Sequence, residues 1–304
     1  MGELTGTSGT ALGALREPRR LPAFWAAGVK LVKTKPLGAF GGAVLVAMVL
    51  LALFAEAVAP YPPDEIDVLV ALKGPSAEHL LGTDNYGRDV LSRVIYGARV
   101  SLSVGVGVVI VVTVLATLLG TLSGYFGGRF DILLQRVVDA FLSFPTVILA
   151  LSIMSVLPPG VLSVIIALSI RQTLGDSRTI RSAVLSVREQ QYIEAARALG
   201  CANGRILSLH VLPNIMAPLI VVASLILGVA IIVEATLSFL GYGVPPPNPT
   251  WGGMLSGDGR QFMLRQPWMA FAPGLALSLA VFGVNVFGDA LRDVLDPRLR
   301  GARG

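Results

Sequence analysis

The 304-residue chain is 54% hydrophobic and 14% charged, with a mean hydropathy of +0.73. Charged residues usually make up about a quarter of a soluble domain, so this composition excludes an ordinary soluble one. The formal charge of +5 does not make a nucleic-acid binder, because the basic residues are scattered between apolar stretches and build no groove-reading module. A single cysteine, Cys201, rules out an internal disulfide, and two distant histidines, His79 and His210, speak against a transition-metal centre.

A polar leader over 1–36 precedes the first apolar run, 37–59. A helical span needs roughly 20 mainly apolar residues, and this run is long enough. Ala55-Glu56-Ala57 resembles a small-x-small cleavage site. The run nevertheless exceeds the about 7–15 residues of a signal-peptide core, so an uncleaved span is expected. A loop over 60–97 follows, then candidate spans at about 100–124, 132–157, 160–176, 214–240 and 268–290, and a tail over 293–304. Pro158, Pro159 and Gly160 form a tight turn between the third and fourth spans. Six spans are expected, with an all-α fold.

With the amino terminus inside, most of the 24 Lys and Arg residues fall on inside segments. Lys73, Arg88, Arg93, Arg99, Arg260 and Arg265 fall outside. The positive-inside bias then makes both termini cytoplasmic. Gly38 and Gly42, and the series Gly120, Gly124 and Gly128, stand at the spacing that lets helix backbones approach closely in a membrane.

Between the fourth and fifth spans lie Arg178, Arg181, Arg188, Arg197 and Arg205. At roughly 2.5 kcal/mol or more for each arginine at mid-membrane, segment 177–212 is expected outside the bilayer, on the cytoplasmic side. Ser186 and Glu189 match a capping box, QQYIEAARAL reads as helix, and Gly200 stands at a C-terminal cap. Asn203-Gly204 signals another turn. A second short helix is expected at about 205–211, with Pro213 opening the next span. Ile193, Ala196 and Gly200 make a small strip suited either to a partner's groove or, as a helix lying flat, to the membrane surface.

The residues themselves favour the first. Glu194-Ala195-Ala196, Gly200 and Leu212-Pro213 resemble the EAA–G–LP signature of ABC importer permeases, with His210 in place of the usual Ile before the LP pair. HLLGTDNYGRDVLSRVIYGARVSL (79–102), GYFGGRFD (124–131), EATLSFLGYGVPPPNPTWGGML (234–255) and GDALRDVLDPRLRG (288–301) resemble C-type subunits of dipeptide/oligopeptide permeases. TLGDS (173–177) departs from the aromatics such permeases carry there.

The resemblance implies an all-α integral membrane protein with a type I importer core over about 98–292, preceded by one extra N-terminal helix. It implies a coupling segment, 186–213, in which Glu194, Ala195, Ala196, Gly200, Leu212 and Pro213 meet the ATPase. The implied partners are a second permease, two ATP-binding subunits and an extracytoplasmic binding protein, in a bacterial or archaeal cell membrane. Nickel and oligosaccharide importers share the type. No G-x-x-x-x-G-K-[ST] occurs, so ATP and Mg are expected on the partner subunits, and this chain is expected to be non-catalytic with no cofactor of its own. A stand-alone secondary transporter would instead call for inverted repeats, broken helices and paired midplane charges.

Glu234 is the carboxylate placed well inside a predicted span, either for translocation or as a structural hydrogen-bonding group. Glu56, beside Tyr61, reads as interfacial. The prolines of GYGVPPPNPTWGG stiffen an outer surface, with Trp251 and Trp268 expected as interfacial anchors.

Overall fold

A computed structural model describes residues 34–295; most of the polar leader and the end of the basic tail lie outside the described residues. The described residues are helical, and their single strand-like feature is an isolated bridge between Thr83 and Asp89. Helix α1 spans Pro36–Leu53, α2 Val90–Phe126, α3 Gly128–Leu142, α4 Thr146–Met154 and α5 Val161–Arg188. Then follow α6 over Gln191–Ala198, α7 over Met216–Phe239, α8 over Trp251–Leu255 and α9 over Trp268–Leu295. One end of the bundle carries residues 59–89 and 240–267 (the loop end); the other carries 189–214 (the insert end).

Among the described residues four helices are by themselves long and apolar enough to cross a membrane, α1, α2, α7 and α9, and a bent pair makes a fifth if it is one span. Of the six expected spans, the third and fourth take a different form. The third, expected at 132–157, is α3 and α4 meeting at 89°. Pro145 disfavours helical backbone at Phe144, and Arg171 Nε donates to the freed Phe144 carbonyl at 3.2 Å. A broken span is a feature that a secondary transporter would also show. The fourth, expected at 160–176, is part of a 28-residue α5 that carries Arg171, Asp176 and Arg178 along its middle. Its charge keeps it from counting among the apolar spans.

α2 begins ten residues before its expected start because Asp89 caps it, accepting from Ser92 N and Ser92 Oγ at 2.8 Å each. At 37 residues it is about 55 Å long, well beyond the roughly 30 Å hydrocarbon layer. Its densest packing is with α5. A Cβ on Gly120 would stand 2.6 Å from the Ser177 carbonyl, and one on Gly124 2.9 Å from the Arg181 carbonyl. These two glycines set the helix separation as expected; Gly128 has nothing within 4 Å and serves the turn into α3 instead.

The N-terminal pair also packs: Gly38 rests against Ala290, Gly42 against the Phe287 ring, and Gly41 against the Gly283 carbonyl. α1 is thus laid along α9, with Lys35 and Asp293 paired at 2.6 Å. At the other end of α1, Arg99 of α2 binds Glu56 at 2.9 Å and the carbonyls of Ala52 and Leu53.

Candidate functional site

The insert is built on the ends of α2 and α5. α5 runs unbroken to Arg188, so Ser186 lies in its last turn and Glu189 closes it. The expected capping box does not form, because a helix already in progress satisfies the donors it would have capped; α6 starts instead after Gln190, with no side-chain cap.

The arginines that suggested a free cytoplasmic segment are largely joints. Arg181 grips Asp131 of α3 through Nε at 2.6 Å and Nη2 at 2.5 Å, and Ser123 Oγ donates to the same carboxylate. Arg178 pairs with Asp139 and donates to Gln135 Oε1 at 3.1 Å. Residues 131, 135 and 139 form one polar stripe of α3 facing α5, while Phe130, Leu133 and Val137 on its other side are exposed. Arg188 donates to the carbonyls of Gly124 at 3.1 Å and Tyr125 at 3.0 Å. Those carbonyls end α2 and would otherwise lack a partner.

α6 ends as the sequence predicts. Gly200 has φ +78°, its N–H bonds the Arg197 carbonyl at 2.9 Å, and Cys201 N–H bonds that of Ala196 at 3.0 Å. That is a Schellman motif. The chain then makes a short helix, Asn203–Ile206, a five-residue π turn, Leu207–Val211, and a last short turn, Leu212–Asn214. Pro213 sits in this last turn; α7 itself starts at Met216, after a non-helical Ile215. Proline lacks the N–H that an α-helix needs there, and the wider π turn absorbs the mismatch.

The direction of α6 corrects the expected docking strip. Ile193 and Ala196 are buried with Tyr125, Ile180, Val184, Ile206, Val211 and Ile215. They pack against this chain's own helices. The free face carries Tyr192, Glu194, Ala195 and Leu199, the last 84% exposed. Gly200 and Pro213 are also exposed, and Leu212 is half-buried. A strip at i and i+3 reads the same whether it faces inward or outward, so only Leu199, an apolar residue beside the terminating glycine, could have signalled the second face.

Glu234 lies in α7, fully buried, and accepts from Ser238 Oγ at 2.7 Å and Ser101 Oγ at 3.2 Å. Each carboxylate oxygen has a hydroxyl donor, which joins α7 to α2. At the loop end a cavity of about 890 Å³ opens between the 84–93 segment, the end of α4 and the proline-rich segment 241–250. Asp84 braces its wall, accepting from Tyr86 N at 2.9 Å, Arg88 N at 3.0 Å and Arg88 Nε at 2.7 Å. Trp251 is a core residue and not the expected interfacial anchor: it is 1% exposed, and its Nε1 donates to the Val94 carbonyl at 3.0 Å. It fills the space over Gly97. Trp268 is half-buried against Gly74 and Gly82.

This helix order, with a Gly-terminated insert projecting between two spans, can be set beside known proteins. Residues 116–301 match the family described as binding-protein-dependent transport system inner membrane component, and residues 24–75 match the N-terminal TM domain of oligopeptide transport permease C. The chain belongs to this permease family. It is 42% identical to the dipeptide transport system permease protein DppC of Alkalihalophilus pseudofirmus, covering 91% of this permease and 90% of that one. Against the di/tripeptide transport system permease protein DppC of Pseudomonas aeruginosa the identity is 42%, over 87% and 89%. Against the oligopeptide transport system permease protein OppC of Bacillus subtilis it is 36%, over 91% and 90%.

Among solved structures, a chain of the inward-facing MetNI methionine ABC transporter superposes with a TM-score of 0.57 at 18% identity. The match covers 68% of this permease and 97% of that chain. The all-α fold is thus an ABC importer permease fold, with a family-specific N-terminal helix in front of the shared core. The chain is a transport component and not a catalyst.

Proposed function

We propose that this permease forms half of the translocation pathway of an ATP-driven, binding-protein-dependent importer of di- and oligopeptides. Its partners are a second permease, two cytoplasmic ATP-binding subunits that hold ATP and Mg, and an extracytoplasmic binding protein. The insert end faces the cytoplasm and the loop end faces outward, in a bacterial or archaeal cell membrane with both termini inside.

The observation that carries this reading is the free face of α6. Glu194, Ala195 and Leu199 project from a short helix whose other face is buried in its own bundle, closed by the Gly200 turn. Tyr192, Ala195 and Leu199, at i, i+3 and i+7, are exposed together on that face, and a grouped apolar patch marks an interaction surface. The peptide cargo is supported by the names of relatives that match almost end to end. Glu234 acts in this account as a buried joint between α2 and α7, because both its oxygens are occupied by serine hydroxyls.

The test uses the importer reconstituted with its partner subunits. Glu194→Lys places opposite charge on the free face. This variant and Gly200→Val are expected to insert normally and accept loaded binding protein, yet lose peptide uptake and ATPase stimulation. Wild-type uptake in both removes the coupling role. Cysteine labelling at positions 65, 160 and 250 is expected to report the outer side; an inner signal at 250 contradicts the orientation.

A further inference from the structure

α2 touches both working ends of the molecule. At the loop end its Val90 and Arg93 line the cavity, its Val94 carbonyl receives Trp251, and its Arg99 holds the end of α1. At the insert end Tyr125, buried, stands under the insert. Its hydroxyl donates to Asn203 Oδ1 at 2.9 Å, the Arg197 guanidinium lies over its ring at 5.2 Å, and Arg188 holds its carbonyl. Three consecutive pieces of the insert region therefore meet one residue of α2, although none is its neighbour in sequence.

The covalent exit from the insert is softer. Between Asn203 and α7 lie the π turn, Pro213 and the non-helical Ile215 (φ −97°, ψ 3°), all features at which helices bend. α2 has no proline and no break over 37 residues, and α5 rides on it through the close contacts at Gly120 and Gly124. The path from the insert to α7 therefore holds several bendable joints, whereas the path to the cavity wall through α2 holds none.

We propose that α2 is the rod that carries movement of the insert to the loop-end cavity, and that Tyr125 is the positioning residue that pins the rod to the insert. This rests on the reading that the insert is the ATPase contact. Coupling of this kind is a property of two sites biasing one rigid element, so the test must read both ends.

The experiment uses the complete importer in liposomes. An environment-sensitive fluorophore on Tyr242→Cys, in a Cys201→Ser background, reports the cavity, whose lining includes the exposed Tyr242. ATP is expected to shift its emission in the parent. In Tyr125→Ala the shift is expected to vanish and uptake to fall at least about tenfold, while the ATP-binding subunits stay bound and hydrolysis without binding protein holds within about twofold. A merely stabilising tyrosine would lower assembly and basal hydrolysis together. Tyr125→Phe and Asn203→Ala remove one hydrogen bond and are each expected to lower uptake roughly two- to tenfold, with the double variant no worse than the more damaging single one. Full uptake and a full emission shift in Tyr125→Ala overturn the proposal. So does loss of assembly in that variant combined with wild-type uptake in both milder ones. Leu199→Arg separates the two readings: if the ATP-binding subunits still associate with it, the coupling reading itself fails, whatever Tyr125 does.

Discussion

At the insert end the joints are long cationic side chains: Arg178, Arg181 and Arg188 reach from α5 to carboxylates of α3 and to the terminal carbonyls of α2. At the loop end Arg88 and Arg99 also reach carboxylates, but most of the joints there are short and buried. Asp89 caps α2, Asp84 gathers backbone N–H groups, and the Trp251 indole fills the space over Gly97. A buried cap or a packed ring admits little movement, whereas a half-exposed ion pair such as Arg178–Asp139 can re-form after a shift at small cost. The loop end therefore keeps its internal shape when α2 moves it, and the insert end can adjust against a partner while staying attached.

The sharpest way to break this contrast is to remove the largest loop-end anchor. Trp251→Ala is expected to destabilise the protein by about 3–5 kcal/mol, the usual cost of emptying an aromatic site, read as lowered thermal stability in detergent. Leu199→Ala, at the other end, should stay within about 0.5 kcal/mol, as exposed substitutions do. Equal losses from the two would erase the difference between the ends.

A smaller effect is expected at Arg181. Its fork on Asp131 is bidentate, and Arg181→Ala strips two charge-assisted hydrogen bonds, worth about 1.5–3 kcal/mol together in a partly exposed setting. Arg181→Lys should recover part of that loss, because a single ammonium cannot span both oxygens. The same unfolding measurement checks both.

Gly200 comes next. No atom stands within 4 Å of a Cβ added there, so Gly200→Ala pays only for left-handed backbone, about 1 kcal/mol. Its stability loss should be slight and its transport loss larger, because the turn sets how the free face is presented. A transport defect no larger than the stability defect would count against a coupling role.

The smallest effect belongs to Glu234→Gln. The amide can accept from one serine hydroxyl and donate to the other, so stability and uptake are expected to stay close to the parent. Glu234→Ala leaves Ser101 and Ser238 without their buried partner and should cost about 1–3 kcal/mol. A large uptake loss in Glu234→Gln with unchanged stability would turn Glu234 from a joint into a pathway residue.

How these parts show in the sequence depends on how local their causes are. The first, second, fifth and sixth apolar runs, the Pro158–Gly160 turn, the glycine pairs at 38 and 42 and at 120 and 124, and the Gly200 cap are written in neighbouring residues, and these are recovered. The break at Pro145 was hidden inside a run whose average hydropathy still suits a span. α5 was cut short because its arginines resemble solvated charge until Asp131 and Asp139, some 40 to 50 residues earlier, are seen beside them. Tyr125 gave no local sign, since its partners Arg188, Arg197 and Asn203 all come from later in the chain. Trp251 misleads for a related reason: an aromatic at the end of a proline-rich outer segment reads as an interfacial anchor until Gly97 supplies the space it fills.

The central claim, that the free face of α6 meets the ATP-binding subunits, is most directly tested by cross-linking from position 199. Leu199→Cys in a Cys201→Ser background, with a short bifunctional reagent, is expected to capture an ATP-binding subunit in the assembled importer. The equally exposed Val156→Cys at the loop end should capture none. Capture from position 156, or a Leu199→Cys that reacts with a lipid-borne probe and never with the ATP-binding subunits, would contradict the account.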